Sequence, residues 1–182
     1  TKESQPFNPV SPYAASKVAE DMLGLAYYVA YGMKTVRTRM FNHTGPRQHP
    51  ALVCPSFARQ IALIEKEEQA PILKVGNLDS VRTFCDVRDA VRAYWMLNEN
   101  MVGEVYNIGG NETMTIRTML DTLLGMSFYG IKIEVDKSLL RPTDVTLQIP
   151  DSSKFQEETG WKPEIPFKRT LADLLQFWRE KV

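Results

Sequence analysis

The sequence is poor in cysteine: Cys54 and Cys85 are the only two among its 182 residues. Two cysteines are too few for a disulfide-stabilised scaffold, and their spacing matches no zinc-binding motif. We therefore expect both to be small buried side chains in a protein of the reducing cytoplasm. His43 and His49, the only histidines, lie six residues apart without a nearby carboxylate cluster, so no metal site is expected.

The sequence also lacks an excess of charge of either sign, since 22 basic residues balance 22 acidic ones. Proteins that bind nucleic acid or a membrane surface rely on a basic face, so neither partner is expected. No apolar run approaches the roughly 20 residues that a membrane-spanning helix needs. The chain is nevertheless long enough to bury a hydrophobic core.

Helical and strand patterns alternate along the chain, which predicts an α/β fold. The clearest helix begins at Ser11-Pro12, because serine caps a helix and proline fits its first turn, and it ends at Gly32. Trp161 and Trp178, near the end of the chain, are expected to be packing anchors. The other predicted helices are 55–66, 88–98, 116–124, 152–159 and 170–181; the predicted strands are 34–40, 71–75, 83–87, 104–108 and 131–135, with 41–50 a loop and 138–150 irregular.

Tyr13 and Lys17 stand four residues apart at the head of the first helix, so their side chains share one face. An ammonium beside a phenol favours the phenolate and lowers a tyrosine pKa that starts near ~10. Such a tyrosine is a usable proton donor or acceptor near neutral pH. Because this spacing also arises by chance, the pair on its own favours an ordinary surface contact.

Six segments in a fixed order give the pair a functional context. They are SPYAASK from Ser11, RTRMFNHTGPR from Arg37, VRTFCDVRDA from Val81, EVYNIGG from Glu104, RPTDV from Arg141 and GWKP from Gly160. Together they resemble the extended short-chain dehydrogenase/reductases, the NAD-dependent epimerase/dehydratase family, over nearly the whole chain. The resemblance implies the C-terminal part of a Rossmann-fold parallel sheet plus a smaller mixed α/β domain that binds the substrate.

Within that family, the finer resemblance is to enzymes of GDP-sugars. The loop N-H-T-G-P-R-Q after Phe41 resembles that of GDP-4-keto-6-deoxymannose reductases, whereas GDP-mannose 4,6-dehydratases usually carry N-H-E-S-P-R-R there. The resemblance implies an NAD- or NADP-dependent enzyme that reduces C4 of a GDP-4-keto-6-deoxyhexose, giving a GDP-rhamnose-type product. A GDP-mannose 4,6-dehydratase, another epimerase or dehydratase of the family, and a nucleotide-sugar-binding fragment without activity remain open alternatives.

The same resemblance assigns roles to individual residues. Tyr13 becomes the acid/base residue, and Lys17 tunes it and hydrogen-bonds the nicotinamide ribose. Asn42 corresponds to an asparagine that contacts the sugar nucleotide. The remaining expected substrate contacts are Arg82 and Arg141 at the diphosphate, Asp144 at the nucleotide ribose, and Arg59 and Lys74 near the guanine. Guanidinium groups suit a diphosphate because they form paired, charge-assisted hydrogen bonds.

These residues also have ordinary structural interpretations. Arg82 and Arg88 could pair with Asp86 and Asp89 on a solvated face, which is the commoner fate of alternating charges. Asn42 could be only a turn residue before Gly-Pro.

The resemblance also predicts how the chain is divided. Residues 1–50 would end the cofactor domain, 51–80 and 111–182 would form the substrate domain, and 81–110 would return to the Rossmann sheet. The ten glycines form no dinucleotide fingerprint such as G-x-G-x-x-G. We therefore expect the C-terminal part of a longer enzyme, inactive alone, with its fingerprint and catalytic Ser or Thr upstream.

The first helix, 12–31, resembles the one that pairs across the family's homodimer. A homodimer through this helix is therefore expected. Its tyrosines, Tyr27, Tyr28 and Tyr31, are expected to be divided between the core and that interface.

Overall fold

A computed structural model describes residues 1–140 and 147–182 and confirms the α/β class. The helices are α1 (Pro12–Tyr31), α2 (Val53–Glu65), α3 (Val87–Trp95), α4 (Ile116–Leu124), α5 (Ser153–Thr159) and α6 (Phe167–Lys181). The strands are β1 (Arg37–Met40), β2 (His43–Thr44), β3 (Ile72–Val75), β4 (Val81–Asp86), β5 (Val105–Ile108), β6 (Glu112–Thr115), β7 (Lys132–Val135) and β8 (Leu147–Gln148). Two short 3₁₀ helices span Glu99–Met101 and Lys137–Leu139.

Helix α1 begins and ends where its local sequence predicts. The Ser11 hydroxyl accepts from the Ala14 N–H at 3.1 Å, and Gly32 ends the helix in the left-handed region at φ 65°. No residue of α1 is buried. The expectation that its three tyrosines are partly core is therefore wrong, since all three are exposed.

In the described part of the chain the strands pair in three groups. β1 runs parallel to β5, and β3 runs parallel to β7. β4 is the centre of the third group, parallel to β2 and β8 and antiparallel to β6. β2, β6 and β8 were not predicted, because each is a strand only through its pairing with β4, which lies elsewhere in the sequence.

Two hydrophobic cores hold these elements together. In the larger one, α2, α4 and α6 pack on β3 and β4, and Phe84 stacks on Phe167 with ring centroids 4.8 Å apart. The smaller core lies at β5, where Phe155 contacts Tyr106 and Trp161 edge to face. Trp161 and Trp178 are both buried, which confirms them as packing anchors. The division into domains at residues 50, 80 and 110 stays a prediction.

Both cysteines are free and buried, as expected for small apolar side chains. Burial raises the pKa of the Cys54 and Cys85 thiols to about 12. Within residues 1–140 and 147–182, no group of three histidine, cysteine or acidic side chains is arranged to hold a metal ion. No helix of the same residues is both long and apolar enough to cross a bilayer.

Candidate active site

Tyr13 and Lys17 lie one turn apart at the start of α1, and both are exposed. The Lys17 ammonium is 6.0 Å from the centroid of the Tyr13 ring and 2.6 Å from Glu20 Oε2. Its hydrogen bond with Glu20 raises the pKa of Lys17, so the side chain stays cationic beside the tyrosine. An ammonium has three N–H donors, and among residues 1–140 and 147–182 only Glu20 takes one, which leaves two for another acceptor.

One turn further along α1, Asp21 fastens the helix to β1. Its carboxylate accepts from Arg37 Nη1 at 3.1 Å and from Arg39 Nε at 2.7 Å, and its side chain is only 10% exposed. Charge-assisted hydrogen bonds of this length are stronger than neutral ones. Because α1 buries no residue, these bonds do much to hold Tyr13 and Lys17 in position relative to β1.

Asn42 follows β1 and is tied to two neighbouring strands. Its backbone carbonyl accepts from the Cys85 N–H at 2.9 Å. Its side-chain Nδ2 donates to Gln148 Oε1 at 3.2 Å and to the Thr83 carbonyl at 3.5 Å. Asn42 is therefore a half-buried group held by β4 and β8. A residue that only formed the turn before Gly-Pro would not need these bonds.

Arg82 lies on β4 close to this asparagine. It is half-buried and stands opposite Gln148 in the register of β4 and β8. Its Nη1 donates to the neighbouring Val81 carbonyl at 2.9 Å. The sequence interpretation missed Gln148, because its partners Asn42 and Arg82 lie far away in the sequence.

Arg59 and Lys74, 15 residues apart in sequence, line one open cleft of about 520 Å³. The cleft lies between α2, β3 and β7, and Glu134 and Asp136 contribute carboxylates to it. Lys74 Nζ is 3.9 Å from Asp136 Oδ2. The Gln60 side chain accepts from the Lys74 N–H at 2.8 Å and donates to the Lys74 carbonyl at 3.1 Å. These two hydrogen bonds fix the strand that forms the cleft wall.

Arg141 and Asp144, the other two expected substrate contacts, lie outside the described residues. Two described residues close to this part of the sequence lie at the candidate site. Leu139 lines the cleft of Arg59 and Lys74, and Gln148 stands beside Arg82.

The two acidic residues of the C-D-V-R-D segment have structural partners. Asp86 caps α3, accepting from the Arg88 N–H at 2.7 Å and Arg88 Nε at 2.9 Å, and also from Thr170 Oγ1 at 2.7 Å. Asp89 Oδ2 accepts from the backbone N–H groups of Glu164 and Ile165 at 3.0 and 2.9 Å. Both carboxylates therefore fasten later parts of the chain to α3.

The interpretation of Asp86 and Asp89 as part of a solvated charged face is wrong. They are only 1% and 2% exposed. Burial by itself raises the pKa of Asp86, but the bonds from Arg88 and Thr170 outweigh it and hold that pKa below its usual value. Asp86 is therefore an ionised structural group and not a candidate proton donor.

The glycine pair of Y-N-I-G-G also has a structural cause. A Cβ on Gly110 would lie 1.7 Å from the Phe84 carbonyl oxygen, so only glycine lets β4 and the chain after β5 come this close. This is a backbone crossing and not a phosphate-binding turn, in agreement with the missing dinucleotide fingerprint.

Comparison with known proteins places the chain in a family. A sequence profile described as GDP-mannose 4,6 dehydratase matches residues 1–174. GDP-6-deoxy-D-mannose reductase of Pseudomonas aeruginosa is 34% identical over 96% of this chain and 58% of its own length. GDP-mannose 4,6 dehydratase 1 of Arabidopsis thaliana is 33% identical over 99% of this chain and 52% of its own.

A solved structure gives the same answer for the fold. RMD from Pseudomonas aeruginosa, complexed with NADPH, superposes with a TM-score of 0.91 at 34% identity, over 99% of this chain and 60% of that one. The chain thus spans about half to three-fifths of the length of these relatives. The resemblance drawn from the six segments is confirmed, and the chain belongs to the GDP-mannose 4,6 dehydratase family of extended short-chain dehydrogenase/reductases.

Proposed function

We propose that this chain forms the proton-transfer helix and the sugar-nucleotide side of an NAD(P)-dependent enzyme. The proposed reaction reduces C4 of a GDP-4-keto-6-deoxyhexose and gives a GDP-rhamnose-type product. The observation that carries this proposal is the cationic Lys17 one turn from the exposed Tyr13 hydroxyl, on a helix anchored by Asp21. The 34% identity with GDP-6-deoxy-D-mannose reductase of Pseudomonas aeruginosa and the likeness to the NADPH complex of RMD from that organism support the reductase.

The exposed groups at the start of α1 fit a dinucleotide and a ketone. When bound, NAD(P)H supplies the hydride for C4. The Tyr13 hydroxyl donates the proton that the 4-keto oxygen needs as C4 is reduced. Beyond its bond to Glu20, Lys17 keeps two N–H donors among the described residues, and they suit the hydroxyls of the nicotinamide ribose.

The proposed substrate contacts come from the family resemblance. Arg82 on β4 and Arg141 would hold the diphosphate, and Asp144 would accept from the nucleotide ribose. The cleft of Arg59 and Lys74 would hold the guanine; its mixture of cations, carboxylates and amides suits a base that both donates and accepts.

Replacing Tyr13 by phenylalanine in the full-length enzyme tests the proton-donor role. We expect kcat to fall by roughly 10²–10⁴ while substrate binding stays nearly unchanged, because only the transition state loses its proton. Tyr94→Phe, an exposed tyrosine on α3, is the matched control and should keep full activity. A near-normal kcat for Tyr13→Phe would remove Tyr13 from the mechanism.

A GDP-mannose 4,6-dehydratase is the second candidate, favoured by the name of the matching profile and by the Arabidopsis relative. The N-H-T-G-P-R-Q loop, which starts at Asn42, resembles the reductases instead. Incubation of the full-length protein with GDP-mannose and NADP⁺ separates the two. Only a dehydratase forms a 4-keto product from that mixture.

The proposed enzyme is a homodimer that pairs through α1. Leu23, Val29 and Tyr31 on this helix are exposed apolar side chains, which a second copy would cover. Sedimentation of the full-length protein should give a dimer, and Val29→Lys should give monomers. A wild-type monomer at micromolar concentration would refute the dimer.

A further inference from the structure

Gln148 joins three parts of the proposed substrate site. It lies on β8, opposite Arg82 in the register with β4. Its Oε1 accepts from Asn42 Nδ2 at 3.2 Å. Its own backbone carbonyl lies 3.5 Å from the hydroxyl of Thr83, which also contacts the Thr113 hydroxyl at 2.8 Å.

The partners of Asn42 determine which way its amide faces. The Thr83 carbonyl can only accept, so the amide atom that points to it must be the nitrogen. The two N–H groups of Asn42 then serve Thr83 and Gln148, and Gln148 must turn its carbonyl oxygen toward Asn42. Within residues 1–140 and 147–182, no hydrogen bond to Asn42 Oδ1 occurs, so this acceptor remains for an incoming donor.

We infer that Gln148 is a positioning residue, which holds the Asn42 amide so that Oδ1 accepts from a hydroxyl of the sugar nucleotide. This inference rests on the proposed function. An amide held in one orientation presents only its oxygen to the substrate and so selects a hydrogen-bond donor. An amide that rotates freely can pair with a donor or with an acceptor. Gln148 therefore contributes to substrate binding without touching the substrate.

A double-mutant cycle on GDP-mannose binding tests the inference. Gln148→Met keeps the chain length and removes the acceptor, and Asn42→Ala removes the group that Gln148 is proposed to act through. We expect each single variant to raise the dissociation constant, measured by calorimetry, by about 3- to 10-fold. The double variant should be no weaker than Asn42→Ala alone, since coupled residues do not add.

Gln176→Met, an exposed glutamine on α6, is the matched control and should bind like the wild type. A purely structural role for Gln148 would lower Tm and weaken GDP-mannose binding further in the Asn42→Ala background. The inference is overturned if the two substitutions multiply each other's effect on the dissociation constant. It is also overturned if Gln148→Met binds with wild-type affinity. Should Gln148→Met fail to fold, the milder Gln148→Asn takes its place in the same cycle. A wild-type chain that binds neither GDP nor GDP-mannose refutes instead the proposed function and, with it, the inference.

Discussion

Replacing Asp86 by asparagine tests whether its carboxylate, in the C-D-V-R-D segment, stabilises the fold. The carboxylate accepts two hydrogen bonds from the Arg88 side chain, one from the Arg88 N–H and one from Thr170, at 2.7–2.9 Å. An asparagine offers one acceptor oxygen and no charge, and each charge-assisted bond contributes about 1.5–3 kcal/mol. Because the Arg88 side chain is half-exposed and keeps Asp173, water recovers part of the loss. We expect unfolding free energy to fall by about 2–3 kcal/mol.

Asp173→Asn is the matched control, since it makes the same change on the exposed side of the same network. It should cost less than about 1 kcal/mol. Urea unfolding at neutral pH, followed by tryptophan fluorescence, measures both. Equal losses for the two variants, or a loss below about 0.5 kcal/mol for Asp86→Asn, would refute a buried structural carboxylate.

The stability that Asp86 contributes should also depend on pH, with a sign that follows from its pKa. The pKa of Asp86 is lower in the folded chain than in the unfolded one. Its contribution to stability is therefore complete above the unfolded pKa near ~4 and is lost as pH falls through the folded pKa. The difference between wild type and Asp86→Asn should shrink below about pH 4, and a difference that grows there would contradict the sign.

Gly110→Ala should lower the free energy of unfolding in urea by about 3 kcal/mol or more, because its Cβ meets a backbone carbonyl. Gly130→Ala, with open space around it, should change it by less than about 0.5 kcal/mol, and equal losses would refute the close backbone approach at Gly110. Cys54 and Cys85 should resist a thiol reagent near pH 8 until the chain unfolds, since a pKa of about 12 leaves about one thiolate in 10⁴; rapid native reaction would contradict their burial. Asp21→Asn should lower kcat of the full-length enzyme about 10-fold with little change in KM, because the helix that carries the proton donor loosens; an unchanged kcat would refute the anchor.

Local signals predicted the elements that they determine. Ser11, Pro12 and Gly32 bound α1 to the residue, and the apolar spacing of Ile116–Leu124 gave α4 with its observed limits. β6 and β8 escaped prediction because each is a strand only through its pairing with β4, and the paired residues are 28 or more positions apart in the sequence. Sequence spacing carries no information on such a partner.

The candidate site shows the same division. Arg59 and Lys74 were expected in one region, and they do line one cleft. A solvated face around Asp86 stayed open as an alternative, because nothing local in the sequence reveals that Thr170 folds over it. Gln148 was missed because its role comes from its hydrogen bond with Asn42, 106 residues away. The roles of Tyr13, Lys17 and the substrate contacts stay proposals.

The most direct test of the proposed reductase follows NADPH absorbance in the full-length protein supplied with GDP-4-keto-6-deoxymannose. We predict that NADPH is consumed mole for mole with formation of a GDP-linked product that carries a hydroxyl at C4. Tyr13→Phe should abolish most of that consumption, and Tyr94→Phe should not. No NADPH consumption by the wild type, together with a 4-keto product from GDP-mannose and NADP⁺, would contradict the reductase.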